Sequence, residues 1–358
     1  MNMFKGAALV ALIVAVALPF TREVVAAANL DVLDTPATHS PLATQGILTG
    51  IARAGTRLVV VGQRGHILYS DDAGQQWQQA QVPVSSDLVA VHFPTASLGW
   101  AVGHDGVVLH SSDAGATWLR QLDGRRIGAL MLQHYQRLAA LQPEDDALAA
   151  WIEEAQRMEE QGADKPFLDV WFADERDGYV VGAFGLILKT EDGGRSWHPL
   201  LERVDNPSLL HLYAIRPVGE ELFVVGEQGL VLRLDRSAQR FTAIPMPYNG
   251  SFFGILGKPG VVIAYGLRGN VFRSTDGGAN WSKVETGLEL SITAGTVIAD
   301  GRMVLFTQSG HALVSSDDGA SFQPAEQSRL LPVSAATESG TGSLVLAGPR
   351  GVRLLPFE

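Results

Sequence analysis

Seven times along the chain an apolar run ends in glycine, two variable residues follow, and a second glycine leads into another apolar run. A unit of this kind cannot bury its apolar faces alone, so copies must stack on one another, and the period decides how. The pairs are Gly62 and Gly65, Gly103 and Gly106, Gly182 and Gly185, Gly226 and Gly229, Gly266 and Gly269, Thr307 and Gly310, then Gly348 and Gly351, with Thr307 replacing glycine in the sixth. First positions are 41, 79, 44, 40, 41 and 41 residues apart. The single long interval holds roughly 40 inserted residues, and the remainder divides into units of about 41, the size of a four-stranded propeller blade. Alternation within a unit has period two, as in Thr56 to Gly62 and His66 to Ser70, and runs such as Leu88 to Phe93 and Leu168 to Phe172 read as innermost strands. The expected fold is all-β: a seven-bladed β-propeller of four-stranded blades with an α-helical hairpin inserted between blades 2 and 3.

A second signature, S/T-x-D-x-G-x-x-W, begins eight residues after the first glycine. It comprises Ser70, Asp72, Gly74 and Trp77; Ser111, Asp113, Gly115 and Trp118; Thr190, Asp192, Gly194 and Trp197; and Ser274, Asp276, Gly278 and Trp281. The sixth unit has Ser315, Asp317, Gly319 and Phe322, while the fourth has Leu234, Arg236, Ala238 and Phe241 in the same places. A short Asp accepts backbone N–H groups, glycine permits positive φ, and the aromatic ring packs between blades, so these boxes read as structural loop staples. Calcium is a poor reading, because one carboxylate per loop falls short of the ~6–8 oxygens it takes.

The repeats assign residues 29–358 to the propeller. The last unit stops at Pro356, Phe357 and Glu358 without an outermost strand. An open sheet edge invites pairing, so residues from about Leu30 to Ala37 are expected to supply the missing strand and close the ring. Residues 124–163 differ in kind. Leu130, Tyr135, Leu138 and Leu141 follow helical spacing, Pro143 interrupts, and Leu148, Trp151, Ile152 and Ala155 resume it until Gly162, which predicts two antiparallel helices. Asp145 and Asp146 suit the positive end of the second helix. Its Glu153, Glu154, Glu159 and Glu160 read as a solvated face, the alternative being recognition of a partner.

Residues 1–28 read as a secretory signal: Lys5, an apolar run from Ala7 to Phe20, and small residues Ala26 to Ala28 before Asn29. The run is shorter than the ~20 residues that span a bilayer; Arg22 and Glu23 sit awkwardly for cleavage, which keeps an uncleaved anchor as the alternative. The expected location is the periplasm, with peripheral rather than integral membrane association. The chain has no cysteine, which excludes lipoprotein attachment, disulfides and thiolate chemistry. Its net charge of −11 disfavours nucleic acid as a partner. His66, His104, His110 and His311 show no metal spacing, and no cofactor, metal or catalytic set is expected.

If four strands run up and down from the axis outward, the G-x-x-G turns share one face and the boxes the other. The hairpin insertion emerges on the turn face, where the sequence also varies most. The candidate partner-binding residues there are Arg64, His104, Asp105, Phe184, Gln228, Arg268, Ser309 and Arg350 in the turns, with Arg125 and Arg126 at the start of the insertion. On an acidic protein such arginines suit carboxylate or phosphate; the bland alternative is a set of unrelated turn arginines serving solubility.

An export signal, about seven G-x-x-G hairpins and in-register boxes such as Ser70 to Trp77 together resemble the Ycf48 family, over essentially the whole chain except the insertion. The resemblance implies a non-catalytic seven-bladed propeller that binds membrane-protein precursors or subunits through an arginine-bearing face, with Arg64, Arg268 and Arg350 in the matching slots. Photosynthetic members look like photosystem II assembly factors; relatives in other bacteria suggest envelope partners, including RND-type transporters. The insertion favours the envelope reading. Sialidases also share box and propeller, but the nearest segment to their F-R-I-P motif, Ala214 to Pro217, has the wrong order. A glycosidase needs two carboxylates flanking the bond, and Asp105 and Glu227 are the acidic turn candidates. A sialidase-like hydrolase is therefore the minority alternative.

Overall fold

Period-two alternation becomes antiparallel sheet wherever the repeat predicts it. The computed structural model describes residues 31–325, 331–340 and 342–357; the expected signal over 1–28 and Leu30 lie outside them. Among the described residues there are seven successive sheets, six of four strands and the last of three. In blade 1 the chain runs from the inner strand Leu48–Ala54 through Arg57–Gly62 and Ile67–Ser70 to the outer strand Gln78–Gln79. The second strand is buried at all but its first residue, because it carries apolar side chains on both faces between neighbouring blades. Inner strands touch in chain order, and Ala335–Glu338 of blade 7 touches Leu48–Ala54 of blade 1, completing a ring of seven.

The glycine pairs mark the tightest contacts in this ring. A Cβ on Gly62 would lie 2.1 Å from the Ile47 carbonyl, at the entry to the inner strand of its own blade. Gly65 combines φ +69° with a Cβ position 2.1 Å from the Val84 carbonyl, on the approach to blade 2. One glycine seats the turn on its own blade and the other on the next, which is why both recur.

The opposite loops pack backwards. Gly115 of blade 2 lies against Val59 of blade 1, Gly278 of blade 5 against Phe223 of blade 4, and Gly74 of blade 1 against Val345 of blade 7. Leu48, Val60 and Leu68 of blade 1 share an apolar cluster with Ala347 of blade 7, so ring closure is a side-chain contact.

That closure corrects the expectation of an N-terminal strand. Residues 31–37 form no strand; they bind blade 1 and the link to blade 2, with Ala37 N–H donating to the Val82 carbonyl at 3.1 Å and Ser85 N–H to that of Val32 at 2.8 Å. Leu33, 2% exposed, joins Val82, Val84 and Trp118 in the core, and Asp34 accepts two hydrogen bonds from Arg125, at 2.8 and 3.0 Å. Burial and charge pairing thus hold the segment away from Gly351–Pro356, the outer strand of blade 7. Arg353 and Pro356 blunt that edge.

The insertion forms α1 (Gly124–Leu141) and α2 (Ala147–Gln161). Asp123 caps α1 by accepting the Arg125 N–H, and Gly128 brings the helices together against Glu159. Glu153, Glu159 and Glu160 are exposed, but Glu154 is buried at 8% and paired with Arg157 at 2.7 Å. It lies beside Ala155 and Met158 on the inward stripe, which corrects its assignment to the solvated face. No helix among the described residues is long and apolar enough to cross a membrane.

Candidate functional site

The G-x-x-G face is built from turns held in an uncommon backbone conformation. Arg64, Asp105, Phe184, Gln228 and Arg268 each have φ between 52° and 57°, the left-handed region that non-glycine residues rarely occupy. The next blade holds several of them: Arg64 N–H donates to Asp87 Oδ1 at 2.8 Å, Phe184 N–H to His211 Nδ1 at 3.4 Å and Arg268 N–H to Ser291 Oγ at 3.3 Å.

The side chains expected to form a partner face divide into three groups. Arg64 and Arg268 are exposed from equivalent turns, whereas Arg350 sits in a two-residue hairpin between the paired Gly348 and Gly351. Their guanidinium groups have no hydrogen bond or ion pair among the described residues. Blades 7 and 1 are neighbours, so Arg350 and Arg64 occupy adjacent turns, with Arg268 two blades away. His104 and Gln228 are exposed; Asp105 and Ser309 are half-buried. Arg125 is committed to Asp34 and Asp123, which hold its charge firmly, and it pins the N-terminal segment to α1. Arg126, in the first turn of α1, reaches back to donate to the Gln121 carbonyl on the preceding strand at 3.2 Å.

Phe184 leads to a feature that the repeat does not announce. It is 46% exposed, with Lys165 Nζ 5.2 Å from its ring centroid and the His211 ring tilted against it at 4.9 Å. His211 lies 6.3 Å from Tyr213, and Tyr213 lies 5.7 Å from Phe253. The four rings cross blades 3, 4 and 5 from the turn to the mouth of the central channel. Glu227 anchors the strip by accepting the His211 N–H at 2.8 Å, with Tyr213 Oη 3.5 Å away. Its sequence signal is the aromatic at the second position of the inner strands of blades 4 and 5, Tyr213 in Leu212–Val218 and Phe253 in Phe252–Lys258.

The channel, a cavity of about 390 Å³, is lined by the inner strands. Asp169 of blade 3 pairs there with Arg216 of blade 4 and accepts the Ile215 N–H at 2.8 Å. Arg216 belongs to the segment compared with the sialidase motif, and the structure places it in this pair. Burial pushes the Tyr265 hydroxyl up to about 12. His92, whose Nδ1 accepts the Phe172 N–H at 3.2 Å, is pushed down to about 3 by burial and the nearby charge of Arg216.

The boxes lie at the other end and hold themselves together. In blade 5, Ser274 Oγ donates to Asp276 Oδ1 at 2.8 Å and accepts the Gly278 N–H at 2.9 Å, while Trp281 Nε1 donates to the Gly278 carbonyl at 3.0 Å. The same pattern recurs around Asp72 and Asp113. Asp192 and Asp317 accept the corresponding Ser/Thr hydroxyls. In blade 4, which lacks the box, Phe241 packs edge-to-face on Tyr179 of blade 3.

The turn face therefore offers an aromatic strip that is exposed at Phe184 and half-buried towards the channel, together with Arg64, Arg268 and Arg350 in exposed turns. Such a surface suits an extended segment with apolar and carboxylate groups.

A family model described as Photosynthesis system II assembly factor YCF48 matches residues 41–132 and 149–302. The chain is 29% identical over 118 residues to the Photosystem II assembly lipoprotein Ycf48 of Synechococcus sp. (strain CC9902), an alignment covering 32% of this chain and 35% of that protein. It thus spans about a third of that relative's length. Among solved structures, YCF48 bound to D1 peptide superposes with a TM-score of 0.64 at 15% identity, over 90% of this chain and 98% of that one. YCF48 from Cyanidioschyzon merolae gives 0.65 at 16%, over 88% and 97%.

Proposed function

This chain belongs to the Photosynthesis system II assembly factor YCF48 family, and we propose that it is a non-catalytic, exported propeller that holds a segment of a membrane-protein complex on its G-x-x-G face. The observation that carries the reading is the strip from Phe184 through His211 and Tyr213 to Phe253 across blades 3 to 5, with Arg268 in the turn of blade 5 and Arg350 and Arg64 further round the same face. The solved relative YCF48 bound to D1 peptide supports a peptide-like ligand. The helical insertion is absent from the matched family segments over residues 133–148, and it favours a complex other than a photosystem. A periplasmic RND-type transporter is the partner class we put forward, with photosystem II assembly the reading for a photosynthetic host.

The test is capture from detergent-solubilised membranes with the wild-type chain and with Arg64, Arg268 and Arg350 all changed to Ala. The reading expects wild type to retain a membrane complex, identified by mass spectrometry, and the triple variant to lose it. Undiminished capture by the variant would discard the arginine face.

A further inference from the structure

A second recess lies on the outer rim, where α1 crosses the outer strand His198–Pro199 of blade 3. It is a cavity of about 320 Å³, with Arg126 and Arg137 on the helix wall, Arg195 and His198 on the blade wall, and Leu130 and Trp197 between them. No acidic residue lines it, in a chain of net charge −11. Among the described residues the Arg137 and Arg195 guanidinium groups have no hydrogen bond or ion pair, and Arg126 has the single bond to Gln121. The recess continues into a cavity of about 430 Å³ that shares His134, His198 and Pro199. Two carboxylates there are already engaged: Glu191 with Lys189 at 2.6 Å, and Glu202 with the Tyr135 hydroxyl at 3.1 Å.

Trp197 sets this blade apart. Its counterparts Trp77, Trp118 and Trp281 donate from Nε1 to a glycine carbonyl three residues back. The Trp197 ring is buried at 4% exposure, like Trp118 and more deeply than Trp77 or Trp281, yet its Nε1 has no partner. The box of blade 3 is altered where the insertion packs on it.

We propose that this trough is a docking groove for an extended acidic peptide segment of a partner protein, separate from the turn face. Arg126 and Arg137 are eleven residues apart on one helix, hence about 16 Å apart along its axis. No single phosphate or carboxylate reaches both. An extended peptide rises about 3.3 Å per residue, so two acidic positions about five residues apart match the span. Arginine forks pair with carboxylates bidentately, and the recessed floor of Leu130 and Trp197 accommodates the apolar side chains between them.

The experiment is fluorescence anisotropy of the purified chain with a labelled peptide carrying two acidic pairs about five residues apart, alongside a control peptide with Asn and Gln at those positions. Binding is expected for the acidic peptide and to weaken at least about tenfold in Arg137→Ala/Arg195→Ala. Both arginines are exposed and unpaired, so the variant should melt like wild type. Arg137→Glu/Arg195→Glu should abolish binding, whereas Arg64→Ala/Arg268→Ala should leave it intact, which separates this groove from the turn face. Equal binding of the control peptide, or unaltered binding by the double Ala variant, would overturn the proposal. Capture of phosphatidylglycerol vesicles or inorganic phosphate through the same arginines without peptide binding would also overturn it.

Discussion

Asp169 in blade 3 and Arg216 in blade 4 form an ion pair between adjacent inner strands at the wall of the central channel, and the same carboxylate accepts the Ile215 N–H at 2.8 Å. Asp169 is 2% exposed, whereas the Arg216 side chain is partly open to the channel. Asp169→Ala leaves the buried Ile215 N–H without an acceptor and Arg216 without its counter-charge, with only the Ile215 carbonyl still accepting from it, and is expected to cost about 2–3 kcal/mol. Asp169→Asn should cost less, because its amide oxygen still accepts from Ile215. Urea unfolding midpoints at constant slope give both numbers, and equal costs would mean that the N–H contact is unimportant.

The N-terminal segment contributes through one buried side chain, Leu33, and through ion pairs of Asp31 and Asp34 with Arg125 and of Asp34 with Arg120. Leu33→Ala removes a fully packed leucine from the cluster around Val82, Val84 and Trp118, and is expected to destabilise the chain by about 2–4 kcal/mol. Deleting residues 29–40 should lower the unfolding temperature at least as far. Were the segment a strand on blade 7, Leu33→Ala would matter little, so the melting temperature of this single variant separates the two arrangements.

The glycine spacing is legible because it answers to hard contacts: no side chain fits where Gly62 and Gly65 meet backbone at 2.1 Å. That fixes the blades, their number and the site of the insertion. The path of the N-terminal segment is less legible, since an open edge states a need without stating what meets it. Leu33 and Asp34 found a buried site and two arginines instead. Glu154 shows the limit of helical periodicity, which places a residue on a face without revealing that Arg157 neutralises it at the boundary. The aromatic strip was hidden for a different reason. Its rings come from three blades, at sequence separations that no motif connects, and only the ring geometry brings them into line.

Two sets of groups make stability fall with acid in separate windows. His92 has a folded value of about 3, below its ordinary 6.5, so the unfolded chain binds the extra proton between them. Its contribution is complete above pH 6.5 and is lost as pH falls toward 3, by at most about 1.4 kcal/mol per unit. Asp276 and Asp317 are held at about 2, chiefly by hydrogen bonds from Asn280 and Ser321. Their contribution is complete above the ordinary carboxylate value and declines as pH falls from there toward 2. Melting temperatures at half-unit intervals should show the early decline flattened in His92→Asn, whose amide oxygen can still accept from Phe172. Asp276→Asn and Asp317→Asn should alter the profile below pH 4 alone; a change in their slope at pH 6 would contradict the assignment.

Phe184 presents a conflict between conformation and exposure. A bulky residue at φ 56° is strained, and 46% exposure leaves much of its ring in water, so its contribution to the core is small. Backbone strain of about 1–3 kcal/mol that yields no burial points to use at a surface. Asn tolerates the left-handed region far better, although it forgoes the contacts with His211 and Lys165. Phe184→Asn is therefore expected to melt within a degree or two of wild type or above it, with a stability gain of up to about 1 kcal/mol, while capture of the membrane partner declines. A chain kept on a structural footing alone would lose stability with the ring and keep its partner. Measuring both properties on one variant separates a surface shaped for binding from a turn that happens to hold a phenylalanine.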